Sequence, residues 1–373
     1  MKIALISSSY PPATSGVSVV VQQLAQHLAS LNHQVIVLTS NQVSSFRSDY
    51  SSNLTVYRFP AIPNPFRFDH FFPLPSVLKT KSILGQFCPD IIHLHDLSPL
   101  SFSSLTFAKK HHLPIIATHH FTQELVFHSF RPTRHRHPPS QSKALFTKTL
   151  ALIYNQLQTL IVPSSIITQR LQPHLKIPIT IIPNGIDTNL FKSLNLPKTT
   201  DLIYVGRLDP EKNLSFLIKT LKTIPLRFTF TFVGSGTQEK LLKKLTINDS
   251  RFHFLPKQNY SKLPAIYNSA KIFITASNSE NHPLSILEAL ACGLPIIAPS
   301  AGGIPDIISN KVNGLLFKPN DTQSLIDSIT LLTSNSQLYK QLSHQAKNSS
   351  LKFNLNNFIN QHLKIYRQLN RSK

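Results

Sequence analysis

The chain has 373 residues and a strong excess of base over acid, with 38 Lys and Arg against 16 Asp and Glu. A chain of this length forms two domains with separate cores. Its two cysteines, Cys88 and Cys292, have no metal-ligand spacing, which excludes a disulfide framework and indicates a reducing compartment. No apolar run approaches the roughly 20 residues of a membrane span, and the amino terminus carries too short an apolar run for a signal peptide. We therefore expect a cytoplasmic protein, soluble or peripheral on the inner face of the cell membrane.

The net charge of +22 is spread over both halves of the chain, with one local concentration. Between Glu124 and Asp187 there is no acid, and a proline-broken loop at 127–142 precedes a predicted helix at 143–158. Such a basic surface attracts anions of several kinds, namely nucleic acid, anionic lipid or a nucleoside diphosphate. The cations of this acid-free run are Arg131, Arg134, Arg136, Lys143, Lys148, Arg170 and Lys176.

The amino-terminal residues predict a β-loop-α-β unit of the Rossmann type. The patterns are typical of a buried strand at 2–7, an amphipathic helix at 17–31 and a second strand at 34–39. Gly16 lies in the loop before the helix, whose amino terminus can receive a phosphate. The loop lacks the G-x-G-x-x-G fingerprint, so a bound dinucleotide is not supported.

The same alternation of strands and helices recurs along the rest of the chain. Residues 60–75 are rich in Pro and Phe and are predicted to be irregular, and 183–199 is the predicted linker. We place two domains at 1–185 and 186–355, followed by a carboxyl-terminal helix within 356–373. Further predicted strands are 54–59, 90–95, 113–118, 159–163, 179–182, 201–206, 227–234, 252–255, 272–275, 295–298 and 315–317, with helices at 213–222, 238–245 and 356–369.

Two glutamates eight residues apart lie in the stretch Ser277–Gly293, SNSENHPLSILEALACG. Glu280 closes a polar run after an apolar strand, and Glu288 lies one to two turns into an apolar-periodic helix. We expect both at the carboxyl end of a parallel sheet, where open α/β sheets bind ligands. Carboxylates at that place suit the paired hydroxyls of a sugar or a ribose. The spacing alone fits equally well one solvated acid and one acid favoured by the helix dipole.

The stretch GRLDPEKN places Arg207 and Lys212 on a loop that follows a predicted strand. Two cations at the carboxyl end of a sheet would clamp a diphosphate, with Arg as a planar fork and Lys as a point charge. The alternative is a pair of solvated charges beside Asp209 and Glu211.

Two weaker signals come from glycines and histidines at predicted strand ends. Gly234 and Gly236 in VGSGT permit a close backbone approach beside the base of a nucleotide, or form a tight turn. His119 and His120 follow the strand that ends at Thr118, where a histidine either caps the sheet or contacts a ligand.

The stretch SENHPLSILEALACGLPIIAPSAGGIPDII resembles the E-x7-E block of the retaining family 4 glycosyltransferases. PDIIHLHD, ATHHF and GRLDPEKN are similar to further blocks of that family, and the resemblance runs over nearly the whole chain. It implies the α/β GT-B fold, with two Rossmann-like doubly wound domains facing a cleft and the carboxyl-terminal helix crossing back to the first domain. The first domain would bind the acceptor and the second the donor. The family usually has two glycines in the first loop; here Ser15 replaces the first and Gly16 keeps the second.

The resemblance also implies roles for the charged residues. Arg207 and Lys212 would stabilise the leaving nucleoside diphosphate, so neither a metal ion nor a further cofactor is expected. Glu280 would face the hydroxyls of the transferred sugar. Glu288 would accept hydrogen bonds from the ribose diol.

Further contacts to the donor are implied for backbone groups and one histidine. The family often has Phe-Gly at 282–283, but Pro283 has no N–H, so a backbone contact to sugar and phosphate would come from Leu284 or Ser285. The T-x-H pattern of the family places His120 beside the transferred sugar, with His119 as the alternative.

The function that follows is retaining transfer of a hexose from a nucleotide-sugar, with UDP favoured over GDP. The leaving phosphate oxygen would accept the proton of the acceptor. THHFTQEL is similar to the T-x-HF-x-x-E stretch of family members that glycosylate diacylglycerol, so the acceptor is expected to be a membrane lipid. The segment 127–148 would then dock on an anionic membrane surface.

Several alternatives remain open at this point. The acceptor could be a soluble sugar or a polysaccharide end. The charge suggests a nucleic-acid-binding protein, but no recognition helix or basic strand face with interleaved aromatics supports it, and no nucleic-acid partner is expected. A GT-B epimerase, a phosphorylase and a catalytically silent relative are further alternatives; the last is disfavoured because Arg207, Lys212, Glu280, Glu288 and His120 are all present.

Overall fold

The computed structural model describes residues 1–13, 15–41, 45–64, 67–121, 140–225 and 227–371. The chain forms two compact units, Met1–Gly185 with Asn356–Lys373 and Ile186–Leu355. Each unit is built on one largely parallel sheet, as the alternation of apolar strands with helices predicts.

The first unit contains the strands β1 (Lys2–Ile6), β2 (Gln34–Ser40), β3 (Arg47–Ser51), β4 (Leu54–Phe59), β5 (Ala61–Asn64), β6 (Arg67–Pro73), β7 (Ile91–Leu94), β8 (Ile115–Thr118), β9 (Thr159–Val162) and β10 (Ile179–Ile181). Eight of them form a sheet in the order β10-β9-β8-β7-β1-β2-β4-β3. All neighbours are parallel except β3, which runs antiparallel to β4 at the edge. The order reverses at β1, which is the switch point of a doubly wound sheet.

The second unit contains β11 (Thr200–Val205), β12 (Phe230–Val233), β13 (Phe252–Leu255), β14 (Ala270–Ile274), β15 (Ile296–Pro299) and β16 (Gly314–Phe317). They form one parallel sheet in the order β13-β12-β11-β14-β15-β16. This order is that of a Rossmann domain, with the switch point between β11 and β14.

The helices pack against these sheets and follow the strands in the expected alternation. Those of the first unit are α1 (Gly16–Ser30), α2 (Val77–Phe87), α3 (Pro99–Lys110), α4 (Ser140–Tyr154) and α5 (Ser165–Leu171). The others are α6 (Leu214–Thr223), α7 (Glu239–Leu245), α8 (Leu263–Asn268), α9 (Leu284–Ala291), α10 (Thr322–Ser334), α11 (Ser336–Ser350) and α12 (Leu355–Arg371).

Both faces of the second sheet are buried, which explains why its strands are continuous apolar runs. Successive side chains of a strand point to opposite faces, and in β11 Leu202 and Tyr204 join one core while Ile203 and Val205 join the other. The sheet is therefore the middle one of three layers, and the loops that follow its strands lie at its carboxyl edge.

The carboxyl-terminal helix α12 belongs to the first unit for nearly all of its length. Its Tyr366 is fully buried, and the hydroxyl lies 2.7 Å from Nδ1 of His93 on β7. Phe358 and Leu363 are buried on the same helix. The predicted fold, two Rossmann-like α/β units with the last helix packed on the first, is confirmed.

The stretch 60–75 is not irregular as predicted. It is a two-stranded antiparallel hairpin, β5 with β6, in which Ile62 pairs with Phe72. Prolines are tolerated there because each strand has only one neighbour, so an N–H on the outer side is not needed. The helices α2 and α3 were also not predicted, although Ser98 accepts a hydrogen bond from the N–H of Ser101 as a typical N-cap of α3.

Within the described ranges, no helix combines the length and the apolarity that crossing a membrane requires.

Candidate active site

The loops that carry the predicted donor residues meet at the carboxyl edge of the second sheet. β11 pairs in parallel with β12 on one side and with β14 on the other. Arg207 follows β11, Gly234 follows β12 and Glu280 follows β14. Because these three strands are neighbours, the sheet order brings their loops to one place at its switch point.

The centre of this edge is an ion pair between Lys212 and Glu280. Nζ of Lys212 lies 2.6 Å from Oε1 of Glu280, and each side chain is 17% exposed. Burial alone raises the pKa of Glu280, but the charge and hydrogen bond of Lys212, a hydrogen bond from Ser277 and the charge of Arg207 bring the pKa below its ordinary value. Glu280 is therefore an ionised, half-buried acceptor at neutral pH.

Arg207 is held by two acids of its own loop. Its guanidinium forms ion pairs with Asp209 and with Glu211, and its side chain is 26% exposed. The other oxygen of Asp209 accepts hydrogen bonds from the N–H and the hydroxyl of Thr237, at 2.8 and 2.9 Å. Arg207 therefore lies beside Asp209 and Glu211, as the sequence-based alternative states, whereas Lys212 pairs with Glu280 instead.

The amino end of α9 adds backbone donors to the same loop. Leu284 and Ser285 occupy its first two positions after Pro283, which is the N-cap residue. The first N–H groups of a helix have no acceptor within the helix, and the helix dipole favours an anion there. Both side chains are partly exposed, so this end is accessible to a ligand.

The glycines of the site are required by close approaches of the chain to itself. Gly234 has φ +147°, and a Cβ at this position would lie 1.9 Å from the carbonyl oxygen of Gly206. A Cβ at Gly236 would lie 2.5 Å from the carbonyl of Leu208. These glycines thus let the loop after β12 pack against the loop after β11, and their predicted approach to the base of a nucleotide stays a prediction.

A further glycine supports Glu280 and was not singled out in the sequence. Gly302 has φ +58°, and its Cβ would lie 2.3 Å from the carbonyl oxygen of Glu280. The N–H of Gly303 donates to that same oxygen at 2.8 Å. The Gly-Gly pair after β15 was the signal that could have found this contact.

Glu288 lies on α9 and is only 5% exposed. The hydroxyl of Tyr267 donates to its Oε2 at 2.7 Å. Burial raises the pKa of Glu288 to about 7, although hydrogen bonds from Tyr267 and Tyr260 act in the opposite direction. The two tyrosines were not predicted, because no sequence pattern links them to an acid on another element.

Known families match the chain on both sides of the division between the two units. The model described as Glycosyl transferases group 1 matches residues 186–349, and that described as Glycosyltransferase Family 4 matches residues 14–190. The chain belongs to the group 1 and family 4 glycosyltransferases. It is therefore an enzyme, and its two Rossmann-like units are those of the GT-B fold.

Curated relatives of this glycosyltransferase match over most of their length. The chain is 26% identical to the alpha-monoglucosyldiacylglycerol synthase of Acholeplasma laidlawii over 94% of this chain and 92% of that one. It is 27% identical to a GDP-mannose-dependent alpha-mannosyltransferase of Corynebacterium glutamicum, with coverages of 85% and 76%. A solved structure, Anabaena HepE in complex with UDP, is similar with a TM-score of 0.77 at 19% identity and covers 99% and 100% of the two chains.

In the first unit of the glycosyltransferase, the two candidate histidines differ in their surroundings. His119 is buried, and its Nδ1 lies 2.8 Å from the hydroxyl of Tyr154. His120 is partly exposed, and its Nε2 lies 2.9 Å from Nδ1 of His95. His119 is thus packed in the core, whereas His120 is only partly buried.

Gly16 is the first residue of α1, and its neighbour Ser15 is the N-cap. The hydroxyl of Ser15 accepts from the N–H of Ser18 at 3.2 Å and lies 2.6 Å from the hydroxyl of Ser9. One backbone donor of the helix start is therefore satisfied by the protein itself and is not available to a phosphate at Gly16.

The predicted membrane segment 127–148 lies partly outside the described residues. Residues 122–139, with Arg131, Arg134 and Arg136, belong to the part that the structure does not describe. The described part is the start of α4, on which Leu145 is 67% and Leu152 71% exposed.

Proposed function

We propose that the protein is a retaining hexosyltransferase that uses a UDP-sugar and glycosylates a membrane lipid such as diacylglycerol. The observation that carries the donor site is the Lys212–Glu280 ion pair with Arg207 beside it, at the switch point of a Rossmann sheet. The site offers cations for a diphosphate and a carboxylate for sugar hydroxyls within one cluster.

Donor binding would exchange the partners within this cluster. The diphosphate accepts hydrogen bonds from Lys212, from Arg207 and from the N–H groups of Leu284 and Ser285. The sugar hydroxyls donate to Glu280, whose carboxylate is already ionised. Lys212 and Arg207 thereby exchange carboxylates for phosphate oxygens, whereas Glu280 exchanges the ammonium group of Lys212 for neutral sugar hydroxyls.

The reaction breaks the bond between C1 of the sugar and the β-phosphate oxygen and forms a bond from C1 to the acceptor oxygen on the same face. The departing phosphate oxygen takes the acceptor proton. Negative charge grows on the diphosphate as the bond breaks, and Lys212 and Arg207 neutralise it where it develops. For His120 we propose a hydrogen bond that orients the donor sugar, supported by its partial exposure. The proposal needs no metal ion.

Uracil as the nucleobase of the donor is supported by the similar solved structure, which contains UDP. The mannosyltransferase relative is instead described as dependent on GDP-mannose. A thermal-shift screen of UDP-glucose, UDP-galactose, UDP-N-acetylglucosamine and GDP-mannose tests this part. A ligand at 100 times its Kd stabilises the native protein by about 2.7 kcal/mol. Stabilisation by a UDP-sugar and not by GDP-mannose supports the proposal. Stabilisation by GDP-mannose and by none of the UDP-sugars would show that the donor is a GDP-sugar.

Binding of UDP is predicted to depend on pH through Glu288. Its pKa of about 7 means that the carboxyl group holds a proton at pH 6 and is ionised at pH 8. Because the ribose hydroxyls donate to the ionised form, the apparent Kd for UDP is expected to rise about tenfold from pH 8 to pH 6. Calorimetry at both pH values measures this, with Glu288→Gln as the control that cancels titration of UDP itself. A Glu288→Gln variant with the same pH dependence as the parent would contradict the ribose assignment.

The lipid acceptor is supported by the name of the Acholeplasma relative and by one face of α4. Leu145, Lys148 and Leu152 are spaced by three and four residues, share one helical face and are exposed. Two exposed leucines with a lysine between them suit the interface of an anionic bilayer, into which apolar side chains insert.

Vesicle binding is predicted to fall when this face is made polar. Leu145→Ser with Leu152→Ser should weaken sedimentation with anionic vesicles by about tenfold per leucine, because each loses apolar burial in the bilayer. Ile247→Ser is the matched control, since Ile247 is 68% exposed in the second unit.

Changing Arg131, Arg134 and Arg136 to Ser should cost up to about 3 kcal/mol of vesicle binding.

If the leucine variant sediments like the parent, the α4 face is not the membrane contact. If the parent itself does not bind anionic vesicles, the acceptor is instead a soluble sugar or a polysaccharide end.

A further inference from the structure

Next to His120 lies a buried histidine, His95, that the proposed chemistry does not use. It follows β7 directly and is only 2% exposed. Its Nδ1 lies 2.9 Å from Nε2 of His120, and the two rings are nearly coplanar, at 19°. Among the described residues, its other nitrogen, Nε2, is buried and has no hydrogen-bond partner.

The orientation of His95 is fixed by its neighbours. Its ring lies 4.1 Å, centroid to centroid, from that of His93. The ring of His93 is itself fixed on both sides, by the hydroxyls of Tyr366 and Thr118 at 2.7 Å each. His95 is thus packed against a ring whose orientation is fixed by two hydrogen bonds. Its own Nδ1 therefore stays directed at His120.

A hydrogen bond between two neutral histidines contains one proton, so only two arrangements exist. Both rings are neutral at physiological pH, because burial lowers the pKa of His120 to about 3 and that of His95 well below its ordinary value. In the first arrangement Nδ1–H of His95 donates to Nε2 of His120. In the second, Nε2–H of His120 donates to Nδ1 of His95.

The two arrangements differ in what they leave buried. The second places an N–H on Nε2 of His95, where the described residues offer no acceptor. The first places only a lone pair there. Orphaned buried N–H groups are rarer in proteins than under-satisfied acceptors, which favours the first arrangement.

We propose that His95 is a positioning residue that holds His120 as its Nδ1–H tautomer. His120 then presents an N–H donor at its other edge and accepts from His95 through Nε2. Resting on the proposed function, this makes His120 a hydrogen-bond donor to an oxygen of the donor sugar. The ligand class that this edge selects is a hydrogen-bond acceptor, such as a hydroxyl or ether oxygen, and not a cation.

The test is the tautomer of His120, read from the ¹⁵N shifts of its ring nitrogens, with His120→Gln used for assignment. The parent is expected to show a protonated Nδ1 and an unprotonated Nε2. His95→Phe keeps a buried ring but removes the donor, so His120 should move to the Nε2–H form that free imidazole side chains prefer. His95→Asn places an amide N–H near the position of Nδ1 and should retain the Nδ1–H form of His120.

A parent spectrum with Nε2–H on His120 would overturn the proposal, and this result does not depend on the folding of either His95 variant. Retention of the Nδ1–H form in His95→Phe would overturn it as well. In sugar transfer, His95→Phe should lower kcat/KM by about tenfold, and His95→Asn should restore it to within about twofold. If His95→Phe changes the tautomer of His120 but not kcat/KM, His95 does set the tautomer and His120 does not contact the donor sugar. Failure of the tautomer proposal is thus distinguishable from failure of the proposed role of His120.

Discussion

Replacing Lys212 by alanine is expected to lower kcat for sugar transfer by about 100- to 1000-fold, equivalent to about 2.7–4 kcal/mol. The reason is that, in the proposed reaction, Lys212 neutralises the charge that grows on the leaving diphosphate. Before the donor binds, Lys212 is held at this place by Glu280, which is 17% exposed and lies 2.6 Å from its Nζ. Steady-state kinetics with the donor measure kcat and KM separately.

A matched control for this change exists in the same unit. Lys243 pairs with Glu239 at 2.7 Å, but on the exposed surface of α7, with side chains 53% and 34% exposed. Exposed pairs of this kind contribute little, so Lys243→Ala should leave kcat and KM unchanged. If Lys212→Ala raises KM and leaves kcat unchanged, Lys212 grips the ground state only and the leaving-group assignment is wrong.

The second large effect is expected on stability, from Gly234→Ala. The new Cβ would lie 1.9 Å from the carbonyl oxygen of Gly206, and φ at this position is +147°. Neither backbone can move without separating the loops after β11 and β12, so we expect a loss of about 3 kcal/mol in the free energy of unfolding. For a unit of this size, that corresponds to a fall in Tm of about 6–12 °C in a calorimetric scan.

Gly85→Ala is the control, because it makes the same glycine-to-alanine change at a site without close contacts. Gly85 is exposed on α2, and nothing lies within 4 Å of the position of its Cβ. Alanine there should raise stability by about 0.5–1 kcal/mol, because glycine is unfavourable inside a helix. If Gly234→Ala behaves like Gly85→Ala, the two loops are not packed as described and the donor site is not rigid.

Much of the fold follows from sequence patterns because both sheets are buried on two faces. Their central strands are continuous apolar runs, such as IFI in β14 and IIA in β15, and these runs need no tertiary information. The hairpin of β5 and β6 was missed because prolines normally interrupt strands, and their tolerance depends on the hairpin having no further neighbours.

The sequence indicates which residues belong to the candidate site, but it does not indicate which of their side chains contact each other. Arg207, Lys212 and Glu280 follow strand ends, and the sheet order brings those ends together. The pairing of Lys212 with Glu280 joins residues 68 apart in sequence, and the contact of His95 with His120 joins residues 25 apart. Such contacts depend on strand order and loop geometry, which no local pattern encodes.

The measurement that tests the account most directly is the anomeric form of the product. The protein is incubated with UDP-glucose and vesicles that contain diacylglycerol, and the glycolipid formed is examined by NMR while released UDP is quantified. The account predicts an α-glucoside with the configuration of the donor, one UDP per glycoside, and a rate reduced about 100- to 1000-fold in Lys212→Ala. A β-glucoside, or a rate that is the same in Lys212→Ala as in the parent, would contradict it.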